Sequence, residues 1–147
     1  MVKNLNENRP ENIGKYISQI YRKGSSFIAK GLSGYGIGSG QIMFLLELYR
    51  QDGRSQEDLS DTLNIDKGTT ARALKKLEEE NFVIRLKDEY DKRAYKIYLT
   101  EKGINAKNNV YKVLEDWNTV ITSSITNEEK DLIIKLLKKI CINQDIR

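Results

Sequence analysis

A run of basic side chains without an intervening acid lies near the middle of the sequence. Four basic residues and no acidic residue occupy positions 67–76. If this run is helical, each residue turns by about 100°, and Arg72 lies at the centre of one polar side. Guanidinium and ammonium groups are hydrogen-bond donors, which suits the acceptors of phosphates and base edges in double-stranded DNA. The residues of this candidate DNA-binding surface, here called the basic face, are Lys67, Gly68, Thr69, Arg72, Lys75 and Lys76.

The residues of the basic face differ in what they can contact. Arg72 is long enough for a bidentate contact to guanine in the major groove, and Thr69 can meet bases or phosphate. Lys75 and Lys76 are expected to contact phosphates, which position a protein on DNA without selecting a sequence. Gly68 lets the backbone approach the edge of the groove. The alternative is that the basic face is the solvated side of an ordinary amphipathic helix.

A second charged group is predicted at the tip of a β-hairpin. Arg93 is expected to reach into a minor groove, where narrowing strengthens the negative potential. Asp91 is expected to hold the Arg93 guanidinium through a charge-assisted pair, and Lys87 and Lys92 could meet phosphates. The alternative is a surface ion pair between Asp91 and Arg93 that only shapes the turn.

The elements that must position these two groups follow from apolar periodicity and from turn residues. In chain order they are a helix over residues 11–31, a glycine-rich joint over residues 31–40, a helix capped by Ser39 that ends before Asp52, a short helix capped by Ser55, a helix from Asp66 to about Glu80, strands over residues 82–86 and 95–99, a helix from Thr100 to about Thr122, and a last helix capped by Thr126. A helix-turn-helix followed by a charged hairpin is the layout of a winged-helix DNA reader. Ser55 and Gln56, which open the first helix of that unit, therefore join the candidate DNA-binding residues.

The predicted fold is mainly α with a small β-hairpin wing. Residues 38–99 are expected to form the winged helix-turn-helix lobe. Dimerisation helices over residues 11–33 and 100–143 would flank this lobe within a single chain of residues 1–147. The terminal helices have broad apolar faces that nothing else in the chain would cover. A second copy would bury them most readily, so we expect a two-fold homodimer.

Composition excludes most other function classes. The chain has no histidine and a single cysteine, Cys141, so it lacks the usual general base and imidazole ligands and cannot form an intrachain disulfide. We therefore expect neither enzyme activity nor a cofactor or metal. No apolar run approaches the roughly 20 residues that a membrane-spanning helix needs. Residues 1–10 lack the apolar core of a signal peptide, so a cytoplasmic protein is expected.

The net charge of +4 is only a mild indication of a polyanionic partner. Residues 50–100 carry 11 Lys and Arg against 11 Asp and Glu, so the presumed DNA-reading region is formally neutral. The case for DNA binding therefore depends on the arrangement of the charges and not on their sum.

Two runs of residues resemble the MarR family of bacterial winged-helix regulators. One is the helical run over residues 66–78, and the other is Asp91-Lys92-Arg93 followed by Leu99-Thr100-Glu101-Lys102-Gly103. The second is similar to the family's wing signature of Asp-x-Arg, a short strand and Leu-Thr. The resemblance extends over residues 11–141. It implies a homodimer that binds a palindromic operator, usually as a repressor, and is released by a small phenolic or lipophilic effector or by cysteine oxidation.

The sequence departs from the family pattern at two points. Asn81 stands where the family commonly has a glycine after the recognition helix, and asparagine tolerates the left-handed backbone needed there. The first helix lacks the cysteine of the peroxide-sensing subgroup, which argues against oxidation as the signal. Cys141 is expected to be a buried packing group on the apolar side of the last helix.

Aromatic side chains could line a cavity for a small aromatic or lipophilic effector, between the dimerisation helices and the lobe. The candidates are Tyr16, Tyr21, Tyr49 and Tyr111, accompanied by Tyr35 and Trp117. The alternative is that these rings belong to the core or to an interface.

Two other functions remain open from the sequence. A transcriptional activator or anti-silencer would have the same fold, and a ligand-binding or protein-interaction module could keep the fold without binding DNA. The acid-free run of the basic face argues against the second.

Overall fold

The computed structural model describes residues 10–143, and the expectations about residues 1–9 lie outside that range. The helices of the described residues are α1 (Ile13–Gly31), α2 (Ser39–Arg50), α3 (Gln56–Leu63), α4 (Lys67–Glu79), α5 (Glu101–Asn105), α6 (Lys107–Thr122) and α7 (Asn127–Cys141), with a short 3₁₀ helix (Ser33–Tyr35) after α1. The strands are β1 (Arg54–Ser55), β2 (Val83–Lys87) and β3 (Tyr95–Leu99), in the antiparallel order β1-β3-β2. The predicted fold class, mainly α with a small β-hairpin, is confirmed.

Side-chain caps explain where five of the described helices begin. Each capping oxygen accepts the backbone N–H of the residue three positions on, which satisfies a donor that the helix itself cannot pair. The caps are Asn12, Ser55, Asp66, Thr100 and Thr126. Just beyond α4, Asn81 has a φ of +64°, the left-handed conformation that ends a helix. The predicted caps at Ser55, Asp66 and Thr126 and the predicted stop at Asn81 are confirmed.

The predicted cap at Ser39 is wrong. Gly38 is the N-cap of α2, because its carbonyl accepts the N–H of Gln41 at 3.1 Å and its own N–H donates to Gln41 Oε1 at 2.8 Å. Ser39 is therefore the first helical residue. The glycine-rich joint before it is held by two buried side chains, Leu32 and Ile37, so it packs against the core instead of only linking two helices.

The single helix predicted over residues 100–122 is also wrong, because two helices, α5 and α6, meet at Ala106. The sheet constrains α5 from one side. A Cβ added to Gly103 would lie 2.2 Å from the carbonyl oxygen of Phe82, so α5 approaches the backbone more closely than any other residue type would allow. Ala106, with a ψ of −13°, then redirects the chain into α6.

The core lies between α2, α3, α4 and the sheet. Its largest fully buried side chains include Phe44, Leu45, Leu48, Leu59, Leu74, Leu77, Phe82, Ile97 and Val110. The sheet has a third strand that was not predicted, β1, in which Arg54 pairs with Ile97 and Ser55 with Lys96. Because Leu74 and Leu77 orient α4 towards this core, the opposite side of α4 faces solvent.

A buried arginine links α2 to α3. Arg54 is 7% exposed and forms ion pairs with Glu47 of α2 and with Asp58 of α3, the second at 2.6 Å. Its remaining terminal nitrogen donates to Thr62 Oγ1 at 2.6 Å. A buried guanidinium is tolerated only when it is paired in this way. The network therefore holds the first helix of the helix-turn-helix against α2.

The terminal helices are little covered within the single chain, because α1 packs on α6 along one side and α7 has no buried residue. α1 packs on α6 closely enough that a Cβ on Gly24 would lie 2.9 Å from the Trp117 ring, and one on Gly31 2.9 Å from Val113. The exposed apolar side chains of α1 and α7 include Ile13, Ile17, Ile20, Leu132, Ile133, Leu136, Leu137 and Ile140. The expectation that Cys141 is buried is wrong for the single chain, where the thiol is exposed because no described part of the chain packs on that face of α7.

We predict that Arg54→Met lowers the free energy of unfolding by about 2 kcal/mol, because the largely buried Glu47 keeps its charge without its partner and Thr62 loses its donor. Arg50→Met is the matched control, since Arg50 also pairs with Glu47, at 3.0 Å, but lies on the surface. It should change the stability by less than about 0.5 kcal/mol. Urea unfolding at one fixed protein concentration measures both, and equal effects would contradict a special role for the buried pair.

Candidate nucleic-acid interface

The basic face lies on the solvent side of α4. All six of its side chains or backbone positions are exposed, whereas Thr70, Ala73, Leu74 and Leu77 on the other side are buried. Within the basic face, Lys67 lies 3.8 Å from Glu57 of α3, and Arg72 Nη2 donates to Thr69 Oγ1 at 3.1 Å. Four cationic side chains are thus presented together on one accessible helix surface.

Asp66 organises the beginning of this helix. Its Oδ1 accepts the Thr69 N–H at 2.8 Å, and its Oδ2 accepts the Thr69 hydroxyl at 2.7 Å. These two bonds, first the backbone one and then the hydroxyl one, hold the pKa of Asp66 below its ordinary value, and Arg72 adds to the effect. The carboxylate therefore stays ionised at neutral pH.

The wing is the loop between β2 and β3, and a residue that the sequence did not single out organises it. Asp88 Oδ1 accepts the Tyr90 N–H at 2.8 Å, and the Asp88 N–H donates to the Ala94 carbonyl at 3.0 Å. Lys96 Nζ lies 3.8 Å from Asp88 Oδ2. The Tyr90 N–H holds the pKa of Asp88 below its ordinary value, against the opposing effect of burial. Aspartate at the start of a turn is the available signal for such a role.

The predicted ion pair between Asp91 and Arg93 is wrong. Asp91 Oδ1 accepts the backbone N–H of Arg93 at 3.0 Å, and the Asp91 carbonyl accepts the Ala94 N–H at 2.9 Å. Asp91 therefore builds the turn through the backbone, as aspartate commonly does. Among the described residues the Arg93 guanidinium has no acidic partner, and it is exposed together with Lys87 and Lys92.

Ser55 and Gln56 are both engaged within the protein. The Ser55 hydroxyl accepts the Asp58 N–H at 3.0 Å as the cap of α3. Gln56 Oε1 accepts from Arg85 Nη2 at 3.0 Å, and the Arg85 guanidinium lies 4.7 Å from the centre of the Tyr95 ring. Arg85 was missed by the sequence analysis, although the alternation of β2 puts it on the same side as the buried Val83. Arg85 thus connects β2, the strand that leads into the wing, to α3.

A cleft of about 230 Å³ separates the helix-turn-helix from the wing. It is lined by Gln56, Glu57, Ser60, Lys67, Thr70, Asp91, Arg93, Ala94 and Tyr95. Lys67 of the basic face and Arg93 of the wing, which are far apart in the sequence, therefore line the same cleft. A cation on the helix and a cation on the hairpin that line one cleft can contact one polyanion together.

The candidate effector residues are only partly brought together. The Tyr49 and Tyr111 rings lie 5.9 Å apart, and Lys107 Nζ lies within 6 Å of both ring centres, at 5.9 Å and 5.7 Å. The Tyr49 hydroxyl donates to the Gly103 carbonyl at 2.7 Å, and burial, followed by the influence of Tyr111, raises the pKa of Tyr49 to about 12. Tyr16 and Tyr21 are exposed on α1 and make no ring contact with this pair within the described residues, whereas Trp117 packs on Phe27.

Comparison with known proteins agrees with this geometry. A family model described as "MarR family" matches residues 37–95. The HTH-type transcriptional regulator BilQ of Clostridium symbiosum (strain WAL-14163) is 30% identical over 126 residues, which cover 85% of this chain and 88% of that protein. The uncharacterized HTH-type transcriptional regulator YybA of Bacillus subtilis (strain 168) is 38% identical over 105 residues, covering 69% and 67%. The crystal structure of a MarR transcriptional regulator from Methanosarcina mazei Go1 superposes with a TM-score of 0.85 at 46% identity, covering 89% of this chain and 94% of that one.

The chain belongs to the MarR family. MarR-family proteins are helix-turn-helix transcriptional regulators that bind DNA and function as dimers, and they are not enzymes. The resemblance drawn from residues 66–78 and from the wing is therefore confirmed. Among the described residues, no helix combines the length and the apolar character needed to cross a bilayer.

We predict that Asp88→Ala loosens the wing of this MarR-family protein. Losing the acceptor for the Tyr90 N–H should make tryptic cleavage after Lys92 or Arg93 about 5-fold faster, roughly the effect of one lost hydrogen bond on local opening. Mass spectrometry of early digestion products measures the rate. Glu89→Ala, which removes a neighbouring exposed carboxylate, is the control. Wild-type rates in both variants would show that Asp88 does not hold the loop.

Tyr49 should make stability depend on pH in alkaline solution. An unfolded tyrosine loses its proton near pH 10, whereas the folded Tyr49 keeps it to about 12. The folded state then binds more protons, so the free energy of unfolding falls as the pH rises between these values. In Tyr49→Phe this decline should be shallower, and stability at pH 7 should fall by about 1 kcal/mol because the Gly103 carbonyl loses its donor. Urea titrations over a pH series test both points, and an unchanged alkaline slope would refute the assignment.

Proposed function

We propose that this chain is a homodimeric repressor that binds a palindromic DNA operator and is released by a small aromatic or lipophilic effector. Its site of action would be the cytoplasm, with the DNA that it regulates. The observation that carries the proposal is that Lys67, at the start of the exposed basic face of α4, and Arg93 of the wing line one cleft. A surface that only needed solvation would not require cations from two separate elements at one cleft.

The proposed dimer is supported by the uncovered apolar sides of α1 and α7. These helices expose isoleucine and leucine side chains at helical spacing, such as Ile17, Ile20, Leu132 and Leu136. Exposed apolar helix faces of this kind are normally buried in an interface, and two-fold symmetry is the commonest arrangement. A dimer would present two copies of α4, and dimeric helix-turn-helix proteins read half-sites about 34–36 Å apart. A palindromic operator is the matching target.

The individual contacts follow from the chemistry of the side chains. Arg72 is proposed to read guanine in the major groove, with Lys75 and Lys76 on phosphates. Arg93 is proposed to enter the flanking minor groove, since its guanidinium has no acidic partner among the described residues. Lys92 would meet the adjacent phosphate. Ser55 and Gln56 remain candidates through their backbone N–H groups at the start of α3.

The effector is proposed to act at the contact between the lobe and the dimerisation helices. Tyr49 of α2 meets Tyr111 of α6 there, and Lys107 covers both rings. An aromatic or lipophilic molecule that inserts among these rings, with Tyr16 and Tyr21 as further candidates, would change how α2 sits on α6. Release then requires only that the effector prefers the state in which the two α4 helices are wrongly spaced for the operator.

Two substitutions on the basic face separate sequence reading from phosphate binding. Arg72→Ala should cost roughly 1–3 kcal/mol on the operator and relax base preference, because a bidentate base contact is lost. Lys75→Ala should weaken binding to all sequences alike and lower the salt slope by about 1. Gel shifts at several salt concentrations compare binding to the DNA upstream of the gene that encodes this chain with binding to random duplex.

Equal losses on the upstream region and on random duplex for Arg72→Ala would count against a reading role.

Light scattering of the free protein tests whether it is a dimer, and the symmetry of its DNA footprint tests whether the operator is a palindrome. A monomer at micromolar concentration would overturn the proposed arrangement, even if some DNA binding remained.

A further inference from the structure

Three residues spaced three positions apart, Asp66, Thr69 and Arg72, form a chain of hydrogen bonds along the first turns of α4. The Thr69 N–H and hydroxyl both donate to the Asp66 carboxylate, at 2.8 Å and 2.7 Å, and Arg72 Nη2 donates to Thr69 Oγ1 at 3.1 Å. All three residues are exposed, so burial does not impose this arrangement. It joins the cap of the helix to the residue proposed to read the operator.

These bonds leave Thr69 little to offer to DNA. A hydroxyl has one hydrogen and two lone pairs. The hydroxyl hydrogen of Thr69 points to Asp66 Oδ2. This orientation directs a lone pair of Thr69 Oγ1 towards Arg72. Because the Asp66 carboxylate stays ionised at neutral pH, it continues to accept the hydrogen bond from the Thr69 hydroxyl.

The same bonds leave Arg72 well prepared for a base. Each terminal nitrogen of a guanidinium carries two N–H groups. Thr69 takes one from Nη2, which leaves one donor on Nη2 and both donors on Nη1 for the O6 and N7 acceptors of guanine. A long side chain that is already held loses less rotamer freedom on binding. Gly68 leaves room for this pose, since a Cβ there would lie 3.3 Å from Arg72 Nη1.

We propose that Thr69 is a positioning residue, which acts on DNA through Arg72 and not by its own contact. The Asp66 carboxylate orients the Thr69 hydroxyl, and the hydroxyl holds the Arg72 guanidinium end-on for a guanine. This inference rests on the proposed function, because it assigns a specificity determinant to the same DNA-reading surface.

The test uses the full-length chain and the duplex that the wild-type protein itself enriches from a random-sequence library. Thr69→Val removes the hydroxyl but keeps the branched shape and the backbone N–H bonded to Asp66. It should weaken binding to the enriched duplex by about 3- to 10-fold and weaken binding to random duplex distinctly less. Thr69→Ser keeps the hydroxyl and should retain most of the preference. Thermal unfolding of both variants should match the wild type.

A double-mutant cycle separates positioning from direct contact. In an Arg72→Ala background, Thr69→Val should have no further effect on the enriched duplex, because the group it acts through is gone. A second measurement replaces the enriched guanines one at a time with 7-deazaguanine, which lacks the N7 acceptor. The replacement that weakens the wild type most should weaken Thr69→Val distinctly less.

The possible outcomes are distinct. A loss from Thr69→Val that is equally large with and without Arg72 would mean that Thr69 touches DNA itself, and no loss at all would mean that the hydrogen bonds have no role in reading. Either result overturns the inference while leaving the proposed function intact. If the wild-type protein enriches no sequence, sequence-specific DNA reading fails, and the role of Thr69 fails with it.

Discussion

Burial of the inner side of α4 is the constraint on which the rest of the molecule depends. Leu74 and Leu77 are almost fully enclosed by the core, and a helix has only one rotation about its axis that encloses both. That rotation directs Arg72, Lys75 and Lys76 outward together. The chemistry of the exposed side is therefore determined by the packing of the hidden side. Loss of core volume beneath α4 would disturb the interface without touching a charged residue.

Charged residues divide into those that build the surface and those left free to use it. Arg54 forms ion pairs with Glu47 and Asp58, and the carboxylates of Asp88 and Asp91 accept backbone N–H groups of the wing. The cations of the basic face and the Arg93 guanidinium are not committed to buried partners. This division explains how a region with a neutral formal charge can still present a cationic surface, because several of its acids, such as Asp66, Asp88 and Asp91, are bonded to backbone N–H groups. It also makes the shape of the wing depend on carboxylates that need never touch DNA.

Local signals predicted the elements well where a residue acts within its own turn. Ser55, Asp66 and Thr126 cap helices by bonds to residues three positions on, and Asn81 ends α4 by its own backbone preference. Several other predictions failed because the partner is distant in sequence, whereas the cap assigned to Ser39 instead of Gly38 failed locally. The two-residue strand β1 exists only because β3 offers it a ladder, and the break between α5 and α6 reflects the close approach of Gly103 to Phe82. Asp91 was assigned to the wrong donor because an aspartate at a turn can serve a backbone N–H or a guanidinium, and the sequence alone does not distinguish them.

The order of the chain's elements, the composition of the basic face and the absence of histidine were available from the sequence itself, because helical periodicity, caps and side-chain chemistry are local properties. The tertiary structure decided what those residues do with one another. It brings Lys67 and Arg93 to one cleft and pairs Gln56 with Arg85 through a hydrogen bond. It also leaves Cys141 exposed. Such pairings depend on how separate elements pack, and packing is a property of the whole folded chain that no single segment encodes.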